Sequence, residues 1–156
     1  MKLRLILVGK VREPYLQEGI ASYLQRLNRY LPVTVTVVKA ERLTKSNPPE
    51  RIVDLESRRV AAKVPPWGHL VVLDRRGKQF SSLALARWWS RLEREGCREL
   101  CFAVGGALGF SDSLRQRADT VLSLSRMTYT HEMSRLILLE QLYRIHTILR
   151  GEKYHR

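Results

Sequence analysis

The sequence predicts a layered α/β fold of the α/β/α kind, a mostly parallel sheet with helices on both faces. Three observations predict it. Five short aliphatic runs alternate with stretches whose apolar residues recur at helical spacing. The connections between them carry Gly, Pro, Ser or Asn rather than a second set of strands. No repeat, low-complexity tract or linker interrupts residues 1–156, which read as one domain.

Lys2 to Val8 is rich in Leu, Ile and Val and closes at Gly9, the pattern of a buried strand. Leu16, Ile20, Tyr23, Leu24, Leu27 and Leu31 then follow at helical spacing, predicting an amphipathic helix stopped by Pro32. Val33 to Val38 is β-branched throughout and forms the second strand. Residues 39–47 are polar and basic and read as a mobile loop. In Asn47-Pro48-Pro49-Glu50, Asn47 is placed to cap a helix running to about Lys63, with Pro in its first turn and Glu three residues after the cap.

Pro65-Pro66-Trp67-Gly68 breaks that helix, and His69 to Leu73 makes the third strand. Ser81 or Ser82 opens the next helix, with Leu85, Trp88, Trp89 and Leu92 inward and Gly96 at its end. Glu99 to Val104 is the fourth strand, ended by Gly105-Gly106, and Ser111 caps a short helix to about Ala118. Thr120 to Leu124 is the fifth strand. A long helix from about His131 to Arg150 leads to Gly151 and the tail Lys153-Tyr154-His155-Arg156.

Charge narrows the partner. Lys and Arg number 28 against 15 Asp and Glu, a net +13, which suits a polyanion whose phosphates shed counterions on binding. The two cysteines, Cys97 and Cys101, lack the second pair or His cluster of a zinc site, so no metal is expected; Cys101 reads as core and Cys97 as rim. The opening KLRLILVG is too short and punctuated for a signal peptide, and no apolar run approaches ~20 residues. A cytoplasmic protein with no membrane association is expected.

In parallel sheets, ligands sit beyond the carboxyl ends of the strands. Three ends matter here: Leu73-Asp74, Gly105-Gly106 and Leu124-Ser125. If their strands are neighbours, the three line one pocket. Gly105-Gly106-Ala107-Leu108-Gly109 is either a tight strand-to-helix turn or a place where backbone approaches a ligand. It is not a phosphate loop, and no paired carboxylates flank it, which sets a nucleotide hydrolase aside. Leu122 to Tyr129 (LSLSRMTY) is either a plain connection or a wall presenting backbone groups to a flat ligand.

The last helix carries most of the remaining chemistry. His131 and Arg135 share a face at its start; the histidine is read either as a capping or packing residue or as a catalytic one. An arginine at the positive end of a helix is out of place on dipole grounds and would be explained by an anionic ligand. Glu140 and Arg144 have the spacing of a structural pair. Leu138, Leu139, Leu142, Ile145 and Leu149 form a stripe for the core or a dimer seam. The tail is read either as a solvated end or as groups that stack on a base, move a proton and pair a phosphate.

These places coincide with a known pattern. GGALG, then LS-x-x-T-x-x-H-x-x-x-R-x-x-L-x-E-Q-x-YR from Leu124 to Arg144, then G-x-x-YHR at the end, resembles the RlmH (YbeA) family of SPOUT-class methyltransferases. MKL-x-L-x-x-VGK at the start and L-D-x-x-GK at Leu73 to Lys78 are similar too. The resemblance implies a C-terminal trefoil knot, a homodimer and S-adenosylmethionine as cofactor. It further implies methylation at N3 of a pseudouridine in 23S ribosomal RNA (the helix 69 region), on assembled ribosomes. By position, Leu73, Gly105, Leu124, Ser125, Arg126, Met127, Thr128 and Tyr129 would hold the cofactor. His155, His131, Arg135, Tyr154 and Arg156 would be catalytic, with His155 the first choice of base and His131 the second. Arg135, Arg144 and Arg156 would contact RNA. Thr130 and Leu108 depart from the family, which commonly has Pro and a polar residue at those positions. The alternative is a basic RNA- or ribosome-binding factor on the same fold, without catalysis.

Overall fold

The computed structural model describes residues 1–155. Within them strands and helices alternate strictly: β1 (Lys2–Val8), α1 (Pro14–Leu27), β2 (Val33–Val38), α2 (Pro49–Ala61), β3 (Gly68–Lys78), α3 (Ser82–Arg94), β4 (Glu99–Val104), α4 (Asp112–Arg117), β5 (Thr120–Leu122) and α5 (His131–Leu149). The strands form one sheet in the order β2-β1-β4-β3-β5, with every pairing parallel. The fold class is as expected.

A parallel strand covered on both faces needs apolar residues at successive positions rather than at alternate ones. β4 meets this demand completely, being buried from Glu99 to Val104. Leu100, Phe102 and Val104 join Leu3, Leu5 and Leu7 under α1, α3 and α5. Cys101 and Ala103 join Ile6, Val8, Leu70 and Val72 under α2 and α4. Burying each large aliphatic side chain contributes about 1.5–3 kcal/mol, so two cores hold the central strand. The one carboxylate on it, Glu99, is neutralised by Arg4 at 2.6 Å and accepts the Trp67 indole N–H at 3.2 Å.

Three helix starts are capped by hydroxyls, each contributing about 1 kcal/mol. Ser81 Oγ accepts from the Ala84 amide at 3.1 Å, Ser111 Oγ from Leu114 at 3.2 Å and Thr130 Oγ1 from Met133 at 3.1 Å. Thr130 therefore starts α5 well without the family's proline.

Several expectations need correction. α1 ends at Leu27, one turn short of Pro32, because Asn28 intercepts it: its Nδ2 donates to Leu24 O at 3.0 Å and its Oδ1 accepts from the Val33 amide at 3.3 Å. Asn47 does not cap α2. Its Nδ2 donates to Arg42 O at 2.9 Å, and Pro48 occupies the cap position without a side-chain bond. The 39–47 segment is tied down rather than loose. Glu41 pairs with Arg59 at 2.5 Å and donates its amide to Glu56 Oε2 at 2.9 Å, while Arg59 Nη1 bonds Lys39 O at 3.0 Å.

β3 runs past Leu73 to Lys78, and β5 stops at Leu122 rather than Leu124. The two facts are linked, since Leu73 and Lys78 both register with Leu122 and residues 74–77 loop out between them. The Ser123 amide then bonds Lys78 O at 2.9 Å. A Cβ on Gly77 would lie 2.6 Å from the carbonyl carbon of Leu122, so only glycine lets the loop press this closely on β5.

Candidate active site

Because β3 lies between β4 and β5, the ends of the three later strands are neighbours. A cleft of about 900 Å³ opens over them, lined by Leu73, Gly105, Leu124, Ser125, Met127, Thr128 and Tyr129, with His131 at its edge. The expected convergence of the three strand ends is met. Arg126, from the same run, is exposed and does not line the cleft.

The wall after β5 is held by two local bonds. Ser123 Oγ donates to Ser125 O at 3.0 Å, and Ser125 Oγ accepts from the Met127 amide at 2.9 Å. The amides of Leu124, Ser125, Thr128 and Tyr129 have no partner among the described residues. The run thus lines the cleft with several amides left unpaired among the described residues. Backbone donors and acceptors beside Leu73, Leu122 and Leu124 suit a flat, polar-edged heterocycle with an apolar face. At the rim, Asp74 accepts from the Arg76 amide at 2.9 Å and from Arg115 Nη1 at 3.2 Å. Burial raises the Asp74 carboxyl, but Arg76 and Arg115 outweigh it and hold it below the ordinary carboxylate range. The sequence reading took Leu73-Asp74 as a strand end and missed this network, whose arginines come from a loop and from α4.

His131 opens α5 and is not its cap, a place that Thr130 takes. Burial, assisted by the charge of Arg135, pushes its pKa below the ordinary histidine value against the pull of Glu132. At neutral pH it is an uncharged imidazole beside the cleft, able to accept a proton.

Arg135 is not where the expectation put it. Its side chain is buried (2% exposed), donating from Nη1 to Gly9 O at 2.8 Å and from Nη2 to Val8 O. The partners of this arginine are the two neutral carbonyls ending β1. Its guanidinium thereby joins the first turns of α5 to the end of β1.

Tyr154 and His155 form a docked end, not a solvated one. Tyr154 Oη lies 3.2 Å from Tyr23 Oη and donates to Glu140 Oε1 at 3.1 Å. His155 Nδ1 is 3.4 Å from Arg144 Nη1. Arg144 pairs with Glu140, as its spacing implied, and its guanidinium stacks 4.8 Å above the Tyr154 ring. Tyr23 was legible only as a core position, although a buried phenol needs a partner for its hydroxyl. Arg156 lies outside the described residues. The helical rise from His131 to Arg144 is about 20 Å, so the tail and the cleft stand at opposite ends of α5.

The chain has close relatives. A family profile described as "Predicted SPOUT methyltransferase" matches residues 1–155. Ribosomal RNA large subunit methyltransferase H of Geobacter metallireducens is 46% identical over 155 residues, covering 99% of both chains. The protein of the same name from Carboxydothermus hydrogenoformans is 43% identical over 159 residues, covering 100% of both. Among solved structures, the SpoU methyltransferase AviRb from Streptomyces viridochromogenes, in complex with AdoMet, matches 90% of this chain and 56% of its own. That match has a TM-score of 0.43 and 15% identity, too slight a likeness to carry weight.

Proposed function

The chain belongs to the SPOUT methyltransferase family, and from that premise we propose that it is an S-adenosylmethionine-dependent methyltransferase of large-subunit ribosomal RNA, acting at ring N3 of a pseudouridine. The observation that carries the proposal is the cleft over β3, β4 and β5, lined by Leu73, Gly105 and by Leu124, Ser125, Thr128 and Tyr129, whose amides are unpaired among the described residues. Those residues fit the cofactor: backbone groups for the adenine and ribose edges, leucines for the flat face. The trefoil knot of the family is part of the reading, and the tight seating of the 74–77 loop on β5 supports it.

When bound, S-adenosylmethionine supplies a methyl carbon for the ring nitrogen to attack, its bond to sulfur breaking as the new N–C bond forms. The chain's own task is to position the base and to remove the N3 proton, without which that nitrogen is a poor nucleophile. His131 is the imidazole lining the cleft within each chain. Tyr154 and His155 are remote from their own cleft, which supports a homodimer in which each tail serves the partner's cleft. RNA, held in an assembled ribosomal particle, would then be read by a surface that both copies build, with Arg144 on it.

Two measurements test this. Ribosomal RNA from a strain lacking the protein, analysed by mass spectrometry, should miss one methyl on a pseudouridine, and calorimetry should give saturable S-adenosylmethionine binding. RNA binding with steep salt dependence and no cofactor binding would favour the non-catalytic factor. Proton removal also has a signature in pH. Because His131 titrates below the ordinary value of about 6.5, its base form persists at neutral pH and is lost only as pH falls through that lowered pKa. Single-turnover methylation should therefore keep its rate to below pH ~6.5, and His131→Asn should abolish this acid limb along with most of the rate. An unchanged limb in the variant would assign the proton to another group.

A further inference from the structure

The buried face of α2 carries Ile52, Glu56, Ser57 and Val60, each 3% exposed or less. Such a stripe on an amphipathic helix is ordinarily apolar along its length. Here two polar residues sit in its middle, and a buried carboxylate costs stability unless its oxygens find partners. No free cation compensates Glu56, because Arg59, which acts on it, is paired with Glu41. Burial raises its carboxyl above the ordinary range, and the Glu41 amide and Arg59 offset this only in part. What the pair touches explains its presence.

Both residues meet the turn that follows β4. Ser57 Oγ accepts from the amide of Ser111, the cap of α4, at 2.9 Å. Glu56 is anchored through Oε2, which accepts the Glu41 amide at 2.9 Å. Its Oε1 lies 3.1 Å from where a Cβ on Gly106 would stand, with Val8 Cγ1 3.4 Å from the same point. Between these two holds the turn closes on itself, the Gly109 amide donating to Gly106 O at 3.1 Å. Gly105, Gly106, Gly109 and Phe110 line the cofactor cleft. Glu56 does not; it borders the hollow beyond the ends of β1 and β2. The helix therefore grips the turn from behind.

Resting on the methyltransferase reading, we propose that Glu56 and Ser57 are positioning residues, which fix the two ends of turn 105–111 and so set the shape of the cofactor cleft. Gly106 does not have a positive φ, so its backbone admits alanine; what a methyl group there would meet is the Glu56 carboxylate and Val8. The carboxylate is tethered at Glu41 and cannot simply swing away. Glycine and glutamate are thus a matched pair, the one leaving the space that the other fills. Neither side chain of α2 reaches the cofactor. Their effect passes through the backbone of the turn, where a small displacement is enough to misplace a bound methyl donor.

A double-mutant cycle read by calorimetry tests the pairing. Glu56→Ala and Gly106→Ala should each weaken S-adenosylmethionine binding about tenfold, the first by freeing the turn and the second by pushing it forward. Combined, they should bind no worse than either alone, whereas independent effects would multiply to about a hundredfold. Glu56→Gln keeps the shape and the acceptor and should stay within about twofold of the wild type, while Ser57→Ala should lose about fivefold. A second readout needs no cofactor: the Gly109 amide should exchange with solvent about tenfold faster in Glu56→Ala than in Glu56→Gln, with β4 unchanged. Multiplying losses, equal exchange at Gly109, or a glutamine variant as weak as the alanine one would overturn the proposal. If Glu56→Ala does not fold, wild-type affinity in both Gly106→Ala and Ser57→Ala would overturn it as well. A wild type that binds no cofactor would instead sink the methyltransferase reading, and the exchange at Gly109 would still report the grip of α2 on the turn.

Discussion

Replacing Arg135 with Met is expected to lower the unfolding free energy by about 2–4 kcal/mol, a loss of fold before a loss of chemistry. Methionine matches the length of the buried stem, so little cavity is left. What disappears is the donor pair on the Val8 and Gly9 carbonyls. The Val8 carbonyl is buried and the Gly9 carbonyl partly so, and a buried carbonyl left unpaired costs about 1–3 kcal/mol. Lysine should not rescue the variant, because a single ammonium lacks the planar fork that spans both oxygens. Urea unfolding gives the stability, and calorimetry on the folded fraction gives the rest. S-adenosylmethionine affinity should fall too, since the first turn of α5 borders the cleft. A variant that unfolds like the wild type and loses only turnover would return Arg135 to the substrate, as its position in the family pattern suggested.

That case shows where sequence reasoning stops. Spacing puts His131 and Arg135 on one face of a helix, but it cannot say whether that face meets solvent, a ligand or the end of a strand. The elements themselves were legible because their causes are local. β4 is apolar without a break from Leu100 to Val104, since both its faces are covered; Ser81 and Ser111 cap because their hydroxyls reach amides three residues on. Asn47 misled for the converse reason: it makes a loop bond in place of the cap its neighbours implied.

The candidate site divides in the same way. The strand ends at Leu73, Gly105 and Leu124 were identifiable as ends, and the family pattern named the wall to Tyr129. Their adjacency depends on β3 lying between β4 and β5, an order that no hydrophobic period encodes.

A mixture of two inactive chains is expected to recover activity. One chain carries His155→Ala with an intact cleft. The other carries Gly105→Arg with an intact tail; a Cβ at Gly105 meets Gly109 and Phe110 at an ordinary 3.4 Å, so the substitution fills the cleft without breaking the turn. His155→Ala alone should leave cofactor affinity nearly unchanged while methylation collapses, because His155 lies beside Arg144, about 20 Å along α5 from the cleft. The tail is also held there. Burial and the bond with Tyr23 raise the Tyr154 phenol, keeping it protonated and donating to Glu140. A tail so fixed cannot fold back onto its own cleft, but in a two-fold dimer it can meet the partner's. Random pairing makes half the dimers hybrid with one complete site each, so about a quarter of wild-type activity should return. If each tail served its own cleft, every hybrid site would carry one defect and the mixture would stay silent. A fully active His155→Ala chain would remove the tail from the chemistry and leave His131 to move the proton by itself.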